Sequence, residues 1–149
     1  MTAYRVEIIA VGTELLLGNV ANTDAQFLSE MLASVGVDVL YHTAVGDNPA
    51  RLREVVDIAR GRATLLVFTG GLGPTYDDMT KQIVCEAFGL GLEFHPEIVE
   101  EIRHYFDTVF RREMPACNLQ QAYLPRGCTV LHNPVGTAPG CIFETDGVT

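Results

Sequence analysis

The chain has 149 residues, 48% of them hydrophobic, enough to bury one continuous core and form a single domain, read here as 1–149, without disulfide staples. Its formal net charge of -9, from 19 acidic and 10 basic residues with Lys81 as the sole lysine, excludes a broad basic surface for a nucleic-acid backbone. A phosphorylated ligand would have to be held by backbone amides, a metal ion or a few local cations.

Tyr4 to Val11 is rich in β-branched residues and runs into Gly12, which predicts a first strand entering a loop. Beyond the loop, Phe27, Leu28, Met31, Leu32 and Val35 recur at helical spacing, with Asn22 or Thr23 as cap and Gly36 as terminator. Val37 to Val45 predicts a second strand, and Asn48-Pro49 opens a helix reaching about Arg60. Thr64 to Thr69 is a short, nearly all-apolar run, the pattern of a parallel strand at the centre of a sheet. A helix follows with Ile83, Val84, Ala87 and Phe88 on one side, then another from Pro96 with Ile98, Ile102, Tyr105, Phe106 and Val109 as its stripe. From about Cys117 the chain reads as short strands and Gly/Pro-rich turns. Alternating strands and helices predict a three-layer α/β/α sandwich with a mostly parallel sheet and right-handed crossovers.

Cys85, Cys117, Cys128 and Cys141 form no CxxC pair, so they read as idle thiols. No apolar run has the length of a membrane span and no secretory leader opens the chain. The expectation is a cytoplasmic protein with reduced thiols and neither a nucleic-acid nor a membrane partner.

The strongest chemical signal is Thr69-Gly70-Gly71-Leu72-Gly73-Pro74-Thr75, followed by Asp77, Asp78 and Thr80, between a buried strand and a helix. Its glycines let amides approach an oxyanion, and the next helix adds its partial positive charge. It is neither a Walker loop nor a dinucleotide fingerprint, and a plain turn capped by Asp77 or Asp78 would look similar. Position favours a ligand, because open α/β sheets bind at strand carboxyl ends. Two carboxylates beside a phosphate imply a divalent ion such as Mg²⁺ between them, which Asp47 and Glu14 could join. Lys81 could face a phosphate or simply solvent. Gly12-Thr13-Glu14 with Gly18, Asn19 and Asn22 offers groups suited to ribose or pterin. A third segment, Asn133 to Gly140, with Gly136, Thr137 and Ala138, permits close backbone approach or a tight strand connection. His42, His95, His104 and His132 show no metal-ligand spacing.

Together these segments resemble the molybdopterin-binding-like domain of the MoaB/MogA group, and most closely the N-terminal domain of the competence/damage-inducible CinA family. The matching stretches are GTELLLGNVANTDAQFLSEML, VGDN at 45 to 48, TGGLGPTYDDMT at 69 to 80, NLQQAYLP and NPVGTAPG, in family order. The resemblance implies the three-layer fold, dimers or trimers, and a pocket for a pterin or nucleotide phosphate. It places catalytic acids at Asp78 first and Asp47 second, with Asp77 where pterin-handling relatives often carry arginine. CinA-type domains are associated with metal-dependent hydrolysis of the ADP-ribose pyrophosphate bond, with a monovalent cation as a further candidate cofactor. The spellings GPTYDD and NPVGTAPG rank that activity above pterin chemistry.

The expected site therefore comprises Asp78 and Asp47 as catalytic acids and Asp77, Asp78 and Glu14 as metal ligands. Gly12, Thr13, Glu14, Gly18, Asn22, Thr69 to Thr75, Thr80, Gly136, Thr137, Ala138 and Gly140 are its ligand contacts. CinA-like proteins continue beyond the position of Thr149 into another strand and an acidic loop, so the domain is expected to be cut short there. Neither the amidohydrolase domain of many CinA proteins nor its deamidation of nicotinamide mononucleotide is expected in residues 1–149. The alternatives are a module that binds molybdopterin or a nucleotide without turnover, and a purely structural interaction domain.

Overall fold

A computed structural model describes residues 4–149, which form two compact units: 4–71 with Glu144–Thr149, and Leu72–Phe143. In the first unit, strand β1 (Val6–Val11) has all six residues buried and lies between β2 (Val39–Val45) and β3 (Leu65–Thr69), parallel to both. Ile8 aligns with His42 on one side and Val67 on the other. A short helix α1 (Thr13–Leu16) follows β1, and the crossovers are α2 (Thr23–Ser34) and α3 (Pro49–Ala59). The first crossover steps outward from β1 and the second returns across it, an order for which right-handed connections would put α2 and α3 on opposite faces of the sheet. The result is the expected parallel sheet with flanking helices.

Both expected caps are in place. The Asn22 side chain accepts from the Ala25 amide at 3.1 Å and that of Asn48 from the Arg51 amide at 3.0 Å, with Pro49 in the first turn of α3. Two expectations need correction. The centre of the three-stranded sheet is β1, not the apolar run after Thr64, of which only Leu66 is buried. On its far side β3 meets the backbone of Thr149: the Leu66 amide donates to the Thr149 carbonyl at 2.8 Å, and the Thr149 amide to that of Thr64 at 3.0 Å. Helix α2 divides its apolar residues between two faces. Ala25 is buried and Leu28 and Leu32 are half-buried, whereas Phe27, Met31 and Val35 are exposed.

In the second unit, helix α4 (Thr80–Ala87) leads to β4 (Leu92–Phe94), antiparallel to β5 (Tyr123–Pro125). Helix α5 (Pro96–Tyr105), a π-helical turn (Phe106–Phe110) and a 3-10 helix (Ala116–Ala122) lie between them in sequence, and β6 (Thr129–Leu131) pairs antiparallel with β7 (Gly140–Ile142). Ile98, Val99, Ile102 and Phe106 pack with Ala122 and Leu124 to form this unit's core. Val109, expected on the same stripe, is exposed because the π turn winds more widely than an α-helix and rotates it outward. Burial pushes the Cys85 and Cys141 thiols up to about 11, in keeping with idle cysteines. No helix among the described residues is long and apolar enough to cross a membrane.

Candidate functional site

The first unit gathers part of the expected site at the carboxyl ends of its strands. Gly12 is buried, donates its amide to the Val45 carbonyl at 2.9 Å, and lies under the folded-back carboxylate of Glu14, which would overlap any added β-carbon. One residue on, Thr13 reaches across to the loop after β2. Its amide and its hydroxyl both donate to Oδ2 of Asp47, at 2.9 and 2.8 Å, and its oxygen accepts from the Asp47 amide at 3.1 Å. Gly18 follows α1 in a left-handed conformation, and Asn22 is engaged as the cap of α2. At the end of β3, Thr69 leads into Gly70, whose φ of 84° and contact with the Val11 carbonyl leave no room for a side chain. Gly71 is left-handed as well.

The rest of the glycine loop lies in the second unit and is organised around Asp78. The Thr75 amide and hydroxyl both donate to Asp78 Oδ2, at 2.8 and 2.5 Å, and a β-carbon built on Gly73 would stand 2.5 Å from that oxygen. Burial alone would raise the Asp78 carboxyl, but hydrogen bonds from Thr75 and from the Gly73 amide hold it below the usual carboxylate range. Two amides expected to face a ligand's phosphate, those of Gly73 and Thr75, thus hold the chain's own carboxylate. Neither aspartate caps α4: Met79 stands at the cap, and Asp77 is exposed. Thr80 is the buried first residue of that helix.

A brace unrecognised in the sequence holds this loop from behind. Gln120 donates to the carbonyls of Gly73 and Thr75 at 3.2 and 2.8 Å, and buried Gln121 donates to that of Leu72 at 3.4 Å. Asn118, also buried, donates to Gln121 at 2.9 Å. With three loop carbonyls tied down, the backbone between Leu72 and Thr75 has little freedom. The NLQQ spelling was the available signal, but nothing local says which carbonyls it meets. Lys81 is half-buried: its ammonium donates to the carbonyls of Gln121 and Tyr123 at 3.0 and 2.8 Å, and burial lowers its pKa.

The third segment packs against α5. Tyr105 donates its hydroxyl to the Val135 carbonyl at 2.9 Å, Asn133 closes the turn onto the Ala138 carbonyl at 2.9 Å, and Gly140 opens β7. Gly136 and Thr137 line a cleft of about 710 Å³ with Ile98, Ile102 and Tyr105. The histidines are dispersed, with His42 on Ser29, His95 on Glu97 and His132 on Glu101. No three His, Cys, Asp or Glu side chains among the described residues are gathered to cage a metal ion. Magnesium needs no such cage: it favours hard oxygen donors and is usually held by one or two carboxylates together with substrate phosphates and water. Asp78, kept ionised, with exposed Asp77 beside it, fits that mode.

Comparison with known proteins identifies the fold and the family. The family model described as "Probable molybdopterin binding domain" matches residues 7–148. A competence-damage inducible protein of Acetivibrio thermocellus is 52% identical over 141 residues, covering 95% of this chain and 34% of that protein. A CinA-like protein of Crocosphaera subtropica is 52% identical over 138 residues, 93% of this chain and 33% of its own length. The chain thus spans about a third of the curated relatives it matches. Among solved structures, the CinA protein of Thermoplasma acidophilum superposes with a TM-score of 0.87 at 31% identity, over 99% of this chain and 86% of that one. MoaB of Thermus thermophilus gives 0.55 at 22% identity, over 82% and 79%, a likeness of fold alone. By family model, relatives and superposition alike, the chain belongs to the molybdopterin-binding domain family and, within it, to the CinA type.

Proposed function

We propose that this chain is a metal-dependent nucleotide pyrophosphatase of CinA type, cleaving ADP-ribose or a related nucleoside diphosphate. The observation that carries the reading is the Asp78 carboxylate, ionised and fixed by Thr75 and Gly73 at the mouth of a glycine loop. A carboxylate so held is a ready oxygen ligand, and Asp77 adds a second, exposed one. A divalent ion bound there would neutralise diphosphate charge and lower the pKa of an attacking water. Asp78 orients, and Gln120 and Gln121 keep the loop from yielding. Asp47, held in the same manner by Thr13, is proposed as the second acid.

Asp78→Asn is expected to lower metal-dependent conversion of ADP-ribose to AMP and ribose 5-phosphate by about a hundredfold or more, with the circular-dichroism spectrum unchanged. Turnover equal to that of the parent chain would reject the proposal. The family match favours a second reading, capture of a pterin or nucleotide without turnover. Tight calorimetric binding with no product across several divalent metals would select it.

A further inference from the structure

We infer that Thr75 and Thr13 are positioning residues, each locking one candidate acid, Asp78 and Asp47 respectively, in a single rotamer. The effect on rate rests on the pyrophosphatase reading; the locking does not.

The two arrangements share a chemistry but not a backbone. Thr75 lies three residues before its aspartate, on one loop, whereas Thr13 and Asp47 lie on loops after different strands, 34 positions apart. In both, the threonine gives amide and hydroxyl to the same oxygen, Oδ2, and neither donor goes to Oδ1. A local turn motif accounts for the first case but not for the second.

Exposed carboxylates ordinarily exchange rotamers freely. Two donors from one residue, one of them a backbone amide, set the direction of the carboxyl plane, and a β-branched side chain holds its hydroxyl with little χ1 freedom. The Asp47 amide returns a hydrogen bond to Thr13 Oγ1, orienting that hydroxyl further. Gly73 lets the Asp78 carboxylate lie against the backbone, where a β-carbon would displace it. A ligand or metal ion then meets an acid already aimed, so the ordering cost falls on folding rather than on binding or the transition state.

The test compares Thr75→Val and Thr13→Val, which keep amide and branching but lose the hydroxyl donor, with Thr75→Ser and Thr13→Ser, which keep it. Three-bond couplings to Asp Cγ are expected to report one χ1 rotamer in the parent and serine variants and averaged values in the valine variants. With ADP-ribose and Mg²⁺, each valine variant should lose about tenfold or more in kcat with KM changed less than about threefold, and serine should restore most of it. Where valine unfolds the chain, Thr75→Ala and Thr13→Ala remove the hydroxyl without adding a methyl group. Unchanged couplings in the valine or alanine variants, or serine variants as impaired as valine, would overturn the inference. If the parent chain hydrolyses nothing, the couplings still decide: averaging confined to the variants that lack the hydroxyl supports the clamps while the pyrophosphatase reading fails.

Discussion

Glu7 carries a carboxylate into the fully buried strand β1, and its neighbours keep it charged. Burial would push its carboxyl up, but Arg62 donates to both oxygens, at 2.8 and 2.7 Å, Thr43 adds its hydroxyl at 2.6 Å, and together they hold it below the usual carboxylate range. Arg62 in turn stacks on the Tyr41 ring, 4.0 Å from its centroid. Because the folded carboxyl is depressed below its ordinary 4.5, this contribution is complete above that value and is lost as pH falls through the folded one. Arg62→Met should therefore lower the urea midpoint clearly at pH 7 and much less near pH 4, where the stranded Glu7 can protonate. An equal loss at both values would contradict the assignment. In the sequence Glu7 is merely one polar position in an apolar strand, and its partners stand 36 and 55 positions away. Asn22 and Asn48 were legible as caps because a cap acts within one turn; the roles of Thr13, Gln120 and Gln121 were not, because they lie in which distant atoms these residues meet.

The elements themselves were largely written in the sequence: a β-branched run for β1, an apolar run for β3, the Asn48-Pro49 start of α3, apolar stripes for α2, α4 and α5, and Gly36 beyond the end of α2 in a left-handed conformation. Strand order was not, since an all-apolar run reads alike whether its neighbour is a full strand or, as for β3, one strand and the backbone of Thr149. The doubled apolar surface of α2 was equally hidden, because i, i+4 spacing marks stripes without saying which one meets the sheet. The junction of β3 with the glycine loop depends on Gly70, where a β-carbon would fall 2.0 Å from the Val11 carbonyl at the end of β1. Gly70→Ala imposes a left-handed non-glycine conformation, worth about 1–2 kcal/mol, and a backbone overlap in addition. Equilibrium denaturation should show at least that loss; a neutral or stabilised variant would refute this account of the turn.

For the molecule as a whole, a net charge of -9 sets the problem that any anionic ligand poses. The expected answer combined loop amides with a cation at the acids; two of those amides and the Thr75 hydroxyl instead serve Asp78, holding its carboxyl below the usual range. The two compact units had no trace in composition, because the boundary falls within the glycine loop itself, between Gly71 and Leu72, with no linker to mark it. As the chain spans about a third of its curated relatives, its chemistry is best tested on its own residues. The most direct test is an anomalous-difference map from crystals of the chain soaked in Mn²⁺ with a nonhydrolysable ADP-ribose analogue. The account predicts a peak bonded to the Asp78 carboxylate and bridged to the diphosphate, absent in Asp78→Asn. A diphosphate seated without a metal peak, or a peak that persists unchanged in the variant, would contradict it.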